Sequence, residues 1–358
     1  IGDSMATLIK TVRCKLQVGQ EEASILLETM SRFASACQDI REVALEHKTT
    51  NKVKLQHLCY QEIKTRYGLQ ANLVIRAIAR VAEAMKRKPR KVRRFRPVSI
   101  SLDQRTFRWI PGKESVSVST HVGRLVLPVQ IGNYQRHLLA GQNPTSATLV
   151  YSRQKNEFYI NIALSTPVPD PKGERPVGID RGLKNIAVVS NGRVFPGGAI
   201  MARHRHFRKL RQALQKKGTK GAKRLLKRLS GKERRWMSNV NHVVAKRIVE
   251  SLKPGDILVL EDLKYIRERI RASKKQRADM HSWAFGELQR FVEYKALERG
   301  IPVVYVDPRN TSRTCPRCGH CEKSNRSSQA HFRCKSCGFQ HHADLVASIN
   351  IAQRAGSL

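Results

Sequence analysis

The chain has 358 residues, 68 Lys and Arg against 28 Asp and Glu, a formal charge of +40, and 40% hydrophobic residues. That apolar content excludes a disordered polycation, and no run of about eighteen apolar residues exists to span a bilayer, so no membrane association is expected. A charge this large repels itself in a compact fold and points to a polyanion as the normal partner, since phosphates neutralised by Lys and Arg release counterions. Ribosomal-type binding and a membrane surface are the plainer alternatives. The length suits two or three domains with cores of their own.

The four residues before Met5 read as an appended scar outside the fold. Residues 7–18 partly alternate and predict a strand. Residues 20–46 repeat Ile25, Leu26, Met30, Phe33, Ile40, Val43 and Ala44 at three- and four-residue steps, and further helical stretches follow at 51–67 and about 70–86. The basic run 86–96 joins two folded segments and places Phe95 among arginines, which favours phosphate contact over a solvated linker. From 97 to 165 short β runs (SVSVST, RLVLPVQI, ATLVYSR, EFYINIAL) alternate with Gly, Asn and Asp turns, as in an antiparallel barrel or sandwich. The first strand completes this β domain, and the helices are then an insertion. PVPDPKGERP, 167–176, reads as a linker.

Beyond it the pattern turns α/β. VGIDRGLKNIAVVS and NGRVFPGG predict a hairpin. A basic helical stretch covers 201–229, interrupted at Gly218 and Gly221, and a second helix covers 232–252. DILVLEDL and IPVVYVDP are buried strands flanking the amphipathic helix HSWAFGELQRFVEYKALERG.

Three carboxylates stand out. Asp180 closes an apolar strand before a Gly, Glu261 ends DILVLE, and Asp344 opens a final amphipathic helix. Each alone has a plain reading, as a turn residue, a helix cap and a partner of the helix dipole. Together, in the order Asp, Glu, Asp, they suit a two-metal phosphodiesterase with hard oxygen ligands for two Mg²⁺ or Mn²⁺ ions. Asp307 is a lesser candidate. Cys315-Pro-Arg-Cys318-Gly and Cys334-Lys-Ser-Cys337-Gly have zinc-ribbon spacing: four thiolates leave no open position, so one Zn²⁺ there is structural. Metal-type pairs rather than a disulfide framework point to a reducing, cytoplasmic setting; Cys321 is one cysteine beyond the set. For nucleic acid the candidate contacts are Lys86, Arg87, Arg90, Arg93 and Arg94 in the basic run, and Arg203, Arg208, Arg224 and Arg228 in the basic helices.

VGIDRGLKN, VLEDL, VDPRNTSRTCPRCG and FRCKSCG, followed by an Asp and an Asn-Ile helix, resemble the transposon-encoded TnpB proteins, relatives of type V CRISPR effectors. The resemblance is most specific over 177–354. It implies an RNase-H-like RuvC nuclease core at 177–311 and 342–358 and a zinc ribbon at 312–341. It also implies a β-barrel wedge domain at 5–19 and 89–168 with a helical recognition insertion at 20–88, and leaves 169–176 as the linker. Asp180, Glu261 and Asp344 then match the catalytic carboxylates, and the four ribbon cysteines the zinc ligands. The implied activity is RNA-guided cleavage of double-stranded DNA beside a short motif, by a monomer near the bacterial or archaeal nucleoid, with a guide (omega) RNA from the transposon end. Two positions depart from the family: Val346 replaces a usual Asn, and Arg181 follows the first Asp, whereas Asn350 is retained. A minimal CRISPR effector, a nuclease-inactive repressor and a strand-joining transposase are the rival readings; the retained carboxylates disfavour the second, and the ribbon inside the core disfavours the third.

Overall fold

The computed structural model describes residues 7–87, 94–262, 285–328 and 330–356. They fall into two compact units, one of residues Ile9–Thr166 and one of Pro167 onward, to which the described residues up to Leu8 also belong.

In the N-terminal unit, β1 (Thr7–Leu16) runs into three helices, α1 (Gln20–Glu46), α2 (Lys52–Tyr67) and α3 (Ala71–Arg87). Leu26, Met30, Phe33, Cys37, Ile40 and Ala44 are buried on one stripe of α1, as their three- and four-residue spacing requires. Strands β2 (Ser99–Leu102), β3 (Phe107–Ile110), β4 (Ser115–Ser119), β5 (Arg124–Gln130), β6 (Ser146–Ser152) and β7 (Glu157–Pro167) join β1 in one sheet of order β2-β6-β7-β1-β5-β4-β3. Val12, Cys14 and Leu16 alternate with exposed or half-buried residues along β1 and share a core with Ile160, Ile162 and the helices. Because β1 lies between β7 and β5, the helices interrupt the run of strands. The short helix α4 (Asn133–Leu139) and strand β3 were not foreseen.

The C-terminal unit contains a five-stranded mixed sheet of order β10-β9-β8-β11-β12. Its strands are β8 (Gly173–Asp180), β9 (Asn185–Val189), β10 (Val194–Pro196), β11 (Gly255–Glu261) and β12 (Val303–Val306). Strand β11 runs parallel to both β8 and β12, whereas β9 is antiparallel to β8 and β10. Residues 173–176, expected in a linker, are instead the first half of β8, where Arg175 pairs in register with Asp256 and Pro176 with Ile257.

Helices α5 (Gly198–Lys217), α6 (Lys220–Glu250) and α7 (Phe285–Leu297) bury Met201, Met237, Val244, Ile248, Leu288 and Val292 with Ile179, Leu258 and Leu260 on one face of the sheet. The other face, through Val259 and Val306, packs on Ile351 of α8 (Ala343–Ala355). The basic segment breaks once, at Gly218, whose φ of 64° only glycine adopts freely. Gly221 and Gly231 are absorbed into one 31-residue helix rather than dividing two. The two short strands β13 (His331–Arg333) and β14 (Gln340–His342) pair in the cysteine-rich segment.

Candidate active site and zinc ribbon

Strand alternation decides which residues meet. Ile179 and Leu260 face α6 and α7, so Gly178, Asp180, Val259 and Glu261 face α8. Leu260 pairs with Ile179 in the parallel register, which sets Asp180 and Glu261 side by side at the carboxyl ends of neighbouring strands, where open α/β sheets place their sites. Helix α8 lies directly on β8: a Cβ built on Gly178 would stand 2.1 Å from the Ser348 carbonyl oxygen and 2.6 Å from the Ala352 nitrogen. Asp344 sits one turn before Ser348, about 6 Å along the helix, so this contact brings it to the end of β8. The His342 ring caps the helix by accepting from the Asp344 N–H at 3.3 Å.

The structure thus gathers all three predicted carboxylates at one place. Asp180 is raised from 3.8 to about 7, first by burial and then by the charges of Glu261 and Asp344; Arg326 and Arg181 oppose the rise. Glu261 is also raised, mainly by burial, against the pull of the Thr311 hydroxyl and Arg181. Asp344 is held by Asn185 Nδ2 at 2.8 Å on one oxygen and Arg326 at 3.2 Å on the other. Asp307 turns into its own loop, accepting from the Arg309 N–H at 3.0 Å and exposed to solvent.

Among the described residues, only the four ribbon cysteines bring all their ligand atoms within 4.8 Å of one another; the carboxylates are spread more widely. A pair of ions about 3.5–4 Å apart, with oxygens at about 2.0–2.2 Å from each, is served by oxygens up to roughly 8 Å apart. Clustered hard-oxygen donors, one of them raised by burial and by the charges of the other two, are the chemistry such ions neutralise, and in that respect the residues fit.

Sequence reasoning missed Asn185, Thr311 and Arg326 as partners of these carboxylates. It also treated Arg181 as an anomaly. Alternation sends Arg181 to the opposite face from Asp180, where it donates to Gln289 Oε1 of α7 at 2.8 Å and to the Glu261 carbonyl at 3.0 Å. The residue after Asp180 therefore ties β11 to α7 instead of crowding the carboxylates.

The cysteines form two matching knuckles. In each, a glycine with φ near 70° donates to the first cysteine's carbonyl, Gly319 to Cys315 at 2.9 Å and Gly338 to Cys334 at 3.1 Å. Cys315 and Cys337 sulfurs are 3.6 Å apart, and those of Cys318 and Cys334 3.5 Å. A tetrahedral zinc with Zn–S near 2.3 Å needs sulfurs about 3.8 Å apart, so the set can hold one ion. The Cys337 N–H, donated to the Cys334 sulfur at 3.4 Å, leads the causes that draw that thiol down to about 6, whereas burial and the other three sulfurs push the Cys337 thiol up to about 12, as expected where close thiols share their protons. Cys321 bridges to Thr314 through backbone and stands outside the cluster.

Of the predicted nucleic-acid contacts, Lys86, Arg94, Arg224 and Arg228 are exposed, and Arg208 is half-buried. Arg203 stacks on Trp236, 4.9 Å from the ring centre. Arg87 closes α3, and Arg90 and Arg93 lie outside the described residues. Arg211 is drawn inward to Glu233, which also takes His204 Nδ1 at 3.2 Å and so zips α5 to α6. No helix among the described residues is long and apolar enough to cross a membrane.

Two family models match the chain. Residues 159–275 match one described as "Probable transposase", and residues 285–351 match the Cas12f1-like TNB domain. A TnpB-like protein of Methanocaldococcus jannaschii is 36% identical over 157 residues, 42% of this chain and 56% of that protein. Over these segments the chain is similar to TnpB-like proteins. A CRISPR-associated endodeoxyribonuclease Cas12f1 of Sulfoacidibacillus thermotolerans is 30% identical over 267 residues, 68% of this chain and 61% of that one. The matches thus span little more than half the length of these relatives. A cryo-EM structure of a Cas12f1–sgRNA–target DNA complex superposes with a TM-score of 0.66 at 16% identity, over 93% of this chain and 83% of that one, and shares its fold. The transposase match contains Asp180 and Glu261, and the TNB match contains Asp344 and the ribbon.

Proposed function

We propose that this chain is an RNA-guided DNA endonuclease of TnpB type. In this reading the five-stranded sheet with its helices is an RNase-H-like RuvC core, and the N-terminal sheet with α1–α3 is a wedge domain carrying a recognition insertion. The observation that carries it is the convergence of three carboxylates from three separate elements at one sheet end, where burial first and then the charges of the other two raise Asp180 to about 7. A buried acid displaced by burial together with specific charged neighbours is a mark of function.

Asp180, Glu261 and Asp344 would hold two divalent cations, Mg²⁺ or Mn²⁺. Bound there, such ions polarise a phosphate and lower the pKa of water. The chain's own contribution is placement. Asn185 and Arg326 fix the two oxygens of Asp344, and Arg181 anchors the strand end that carries Glu261. The ribbon cysteines would hold one structural Zn²⁺. Exposed Arg224 and Arg228 on α6, with Lys86 and Arg94, supply the charge that neutralises backbone phosphates. Base pairing with a guide RNA from the transposon end would read the target strand, and the protein would read duplex shape and a short adjacent motif.

Asp180→Ala should abolish DNA cleavage while RNA-dependent DNA binding persists; continued cutting would overturn the assignment. The likeness to Cas12f1 favours a second reading, a minimal CRISPR effector. Sequencing the RNA that co-purifies from the native locus separates the two, because a transposon-end transcript and a repeat-spacer transcript differ outright.

A further inference from the structure

Behind Glu261 runs a relay of hydrogen bonds that the proposed chemistry does not require. The Thr311 hydroxyl lies 2.7 Å from Glu261 Oε1 and 3.2 Å from the Pro308 carbonyl. A hydroxyl has one proton, and the shorter, charge-assisted contact takes it. Among the described residues this is the one hydrogen bond that Glu261's side chain receives, and it engages one oxygen only.

Thr311 is itself clamped. Its carbonyl accepts from Asn350 Nδ2 at 2.7 Å, and the second Asn350 proton goes to the Thr314 carbonyl, also at 2.7 Å. Glu261, Thr311 and Asn350 are 7%, 4% and 4% exposed, so water does not compete for these bonds. Asn350 belongs to α8, which carries Asp344 in its first turn, and Thr314 adjoins the first cysteine of the ribbon. The relay therefore joins the strand carrying Glu261, the helix carrying Asp344, and the entrance to the ribbon.

We propose that Thr311 is a positioning residue for the divalent-cation site: its hydroxyl holds one oxygen of Glu261 and leaves the other for the ion shared with Asp180. Asn350 keeps Thr311 in register with the helix of Asp344. A glutamate has three rotatable side-chain bonds, and without the hydroxyl the buried carboxylate loses its fixed orientation. Supporting groups of this kind set metal affinity by about 10–100-fold. The inference rests on the nuclease reading above, because it presumes that the carboxylates bind divalent ions.

The test uses the full chain with its zinc in place. Mn²⁺ is titrated and the free ion followed by electron paramagnetic resonance, for wild type, Thr311→Val, Thr311→Ser and Asp180→Ala. The valine variant should bind Mn²⁺ at least tenfold more weakly, with zinc content unchanged, and the serine variant should return to within about threefold of wild type. A merely structural threonine would lower the melting temperature and leave Mn²⁺ affinity alone. Wild-type affinity in Thr311→Val, with Asp180→Ala inactive in binding, would overturn this inference and spare the nuclease reading. No Mn²⁺ bound by wild type would overturn both. Should the valine variant not fold, Thr311→Ala, measured in the same way, carries the same two outcomes.

Discussion

Replacing Asp180 by Asn removes a charge that the fold tolerates badly, so it should stabilise the protein while disabling the site. Asp180 stands near 3.8 when unfolded and at about 7 in the folded chain. Below pH 4 both states carry the proton. Between about 4 and 7 only the folded state does, so stability falls as pH rises through that window, and above 7 the loss is complete. The full displacement corresponds to roughly 4 kcal/mol; Asp180 keeps some access to solvent, so about 1–2 kcal/mol is the working figure. At about 2–4 °C per kcal/mol for a unit of this size, Asp180→Asn should raise the melting temperature by roughly 2–8 °C at pH 8 and by almost nothing at pH 4. Differential scanning fluorimetry across pH, without added divalent ions, measures it. An unchanged melting temperature at pH 8, or an equal gain at both pH values, would refute the claim that uncompensated negative charge accumulates at this sheet end.

Gly178→Ala should cost about 3 kcal/mol or more, because its Cβ meets backbone atoms of α8 that cannot swing aside, whereas Gly112→Ala, with open space around it, should be near neutral; urea denaturation compares them. Cys315→Ser should release the ribbon's metal, read as zinc per chain with a colorimetric chelator, and lower the yield of folded protein; full zinc content would refute the four-sulfur assignment. Replacing Arg224 and Arg228 together by Ala should reduce the slope of log affinity for DNA against log salt by about 1.8. An unchanged slope would remove α6 from the phosphate contacts.

The elements were legible where burial imposes a period. Leu26 to Ala44 mark α1, and DILVLE marks β11, because each has one face to hide. Asp180, Glu261 and Asp344 stood out as charges ending apolar segments. What stayed hidden depends on chain crossings that no local pattern encodes. Asn185 reaches Asp344 across 159 residues, and Thr311 reaches Glu261 across 50. A threonine in a polar loop gives no signal of its partner. The continuity of α6 through Gly221 and Gly231 was misjudged because glycine is only a weak breaker inside a long helix supported by packing. Strand β8 began earlier than expected because a parallel neighbour satisfies the backbone of residues 173–176 despite the proline.

The long separation between Asp180 and Asp344 gives the protein a timed assembly. At ordinary synthesis rates of about 5–20 residues per second, the 159 residues between Asn185 and its partner take roughly 8 to 30 seconds to emerge. During that interval β8 and β11 can pair, but the acidic pocket lacks its third wall. The cysteine knuckles lie between β12 and α8 in the chain, so α8 reaches Gly178 only after they have emerged. A nascent chain is therefore left with two of its three clustered carboxylates until α8 docks.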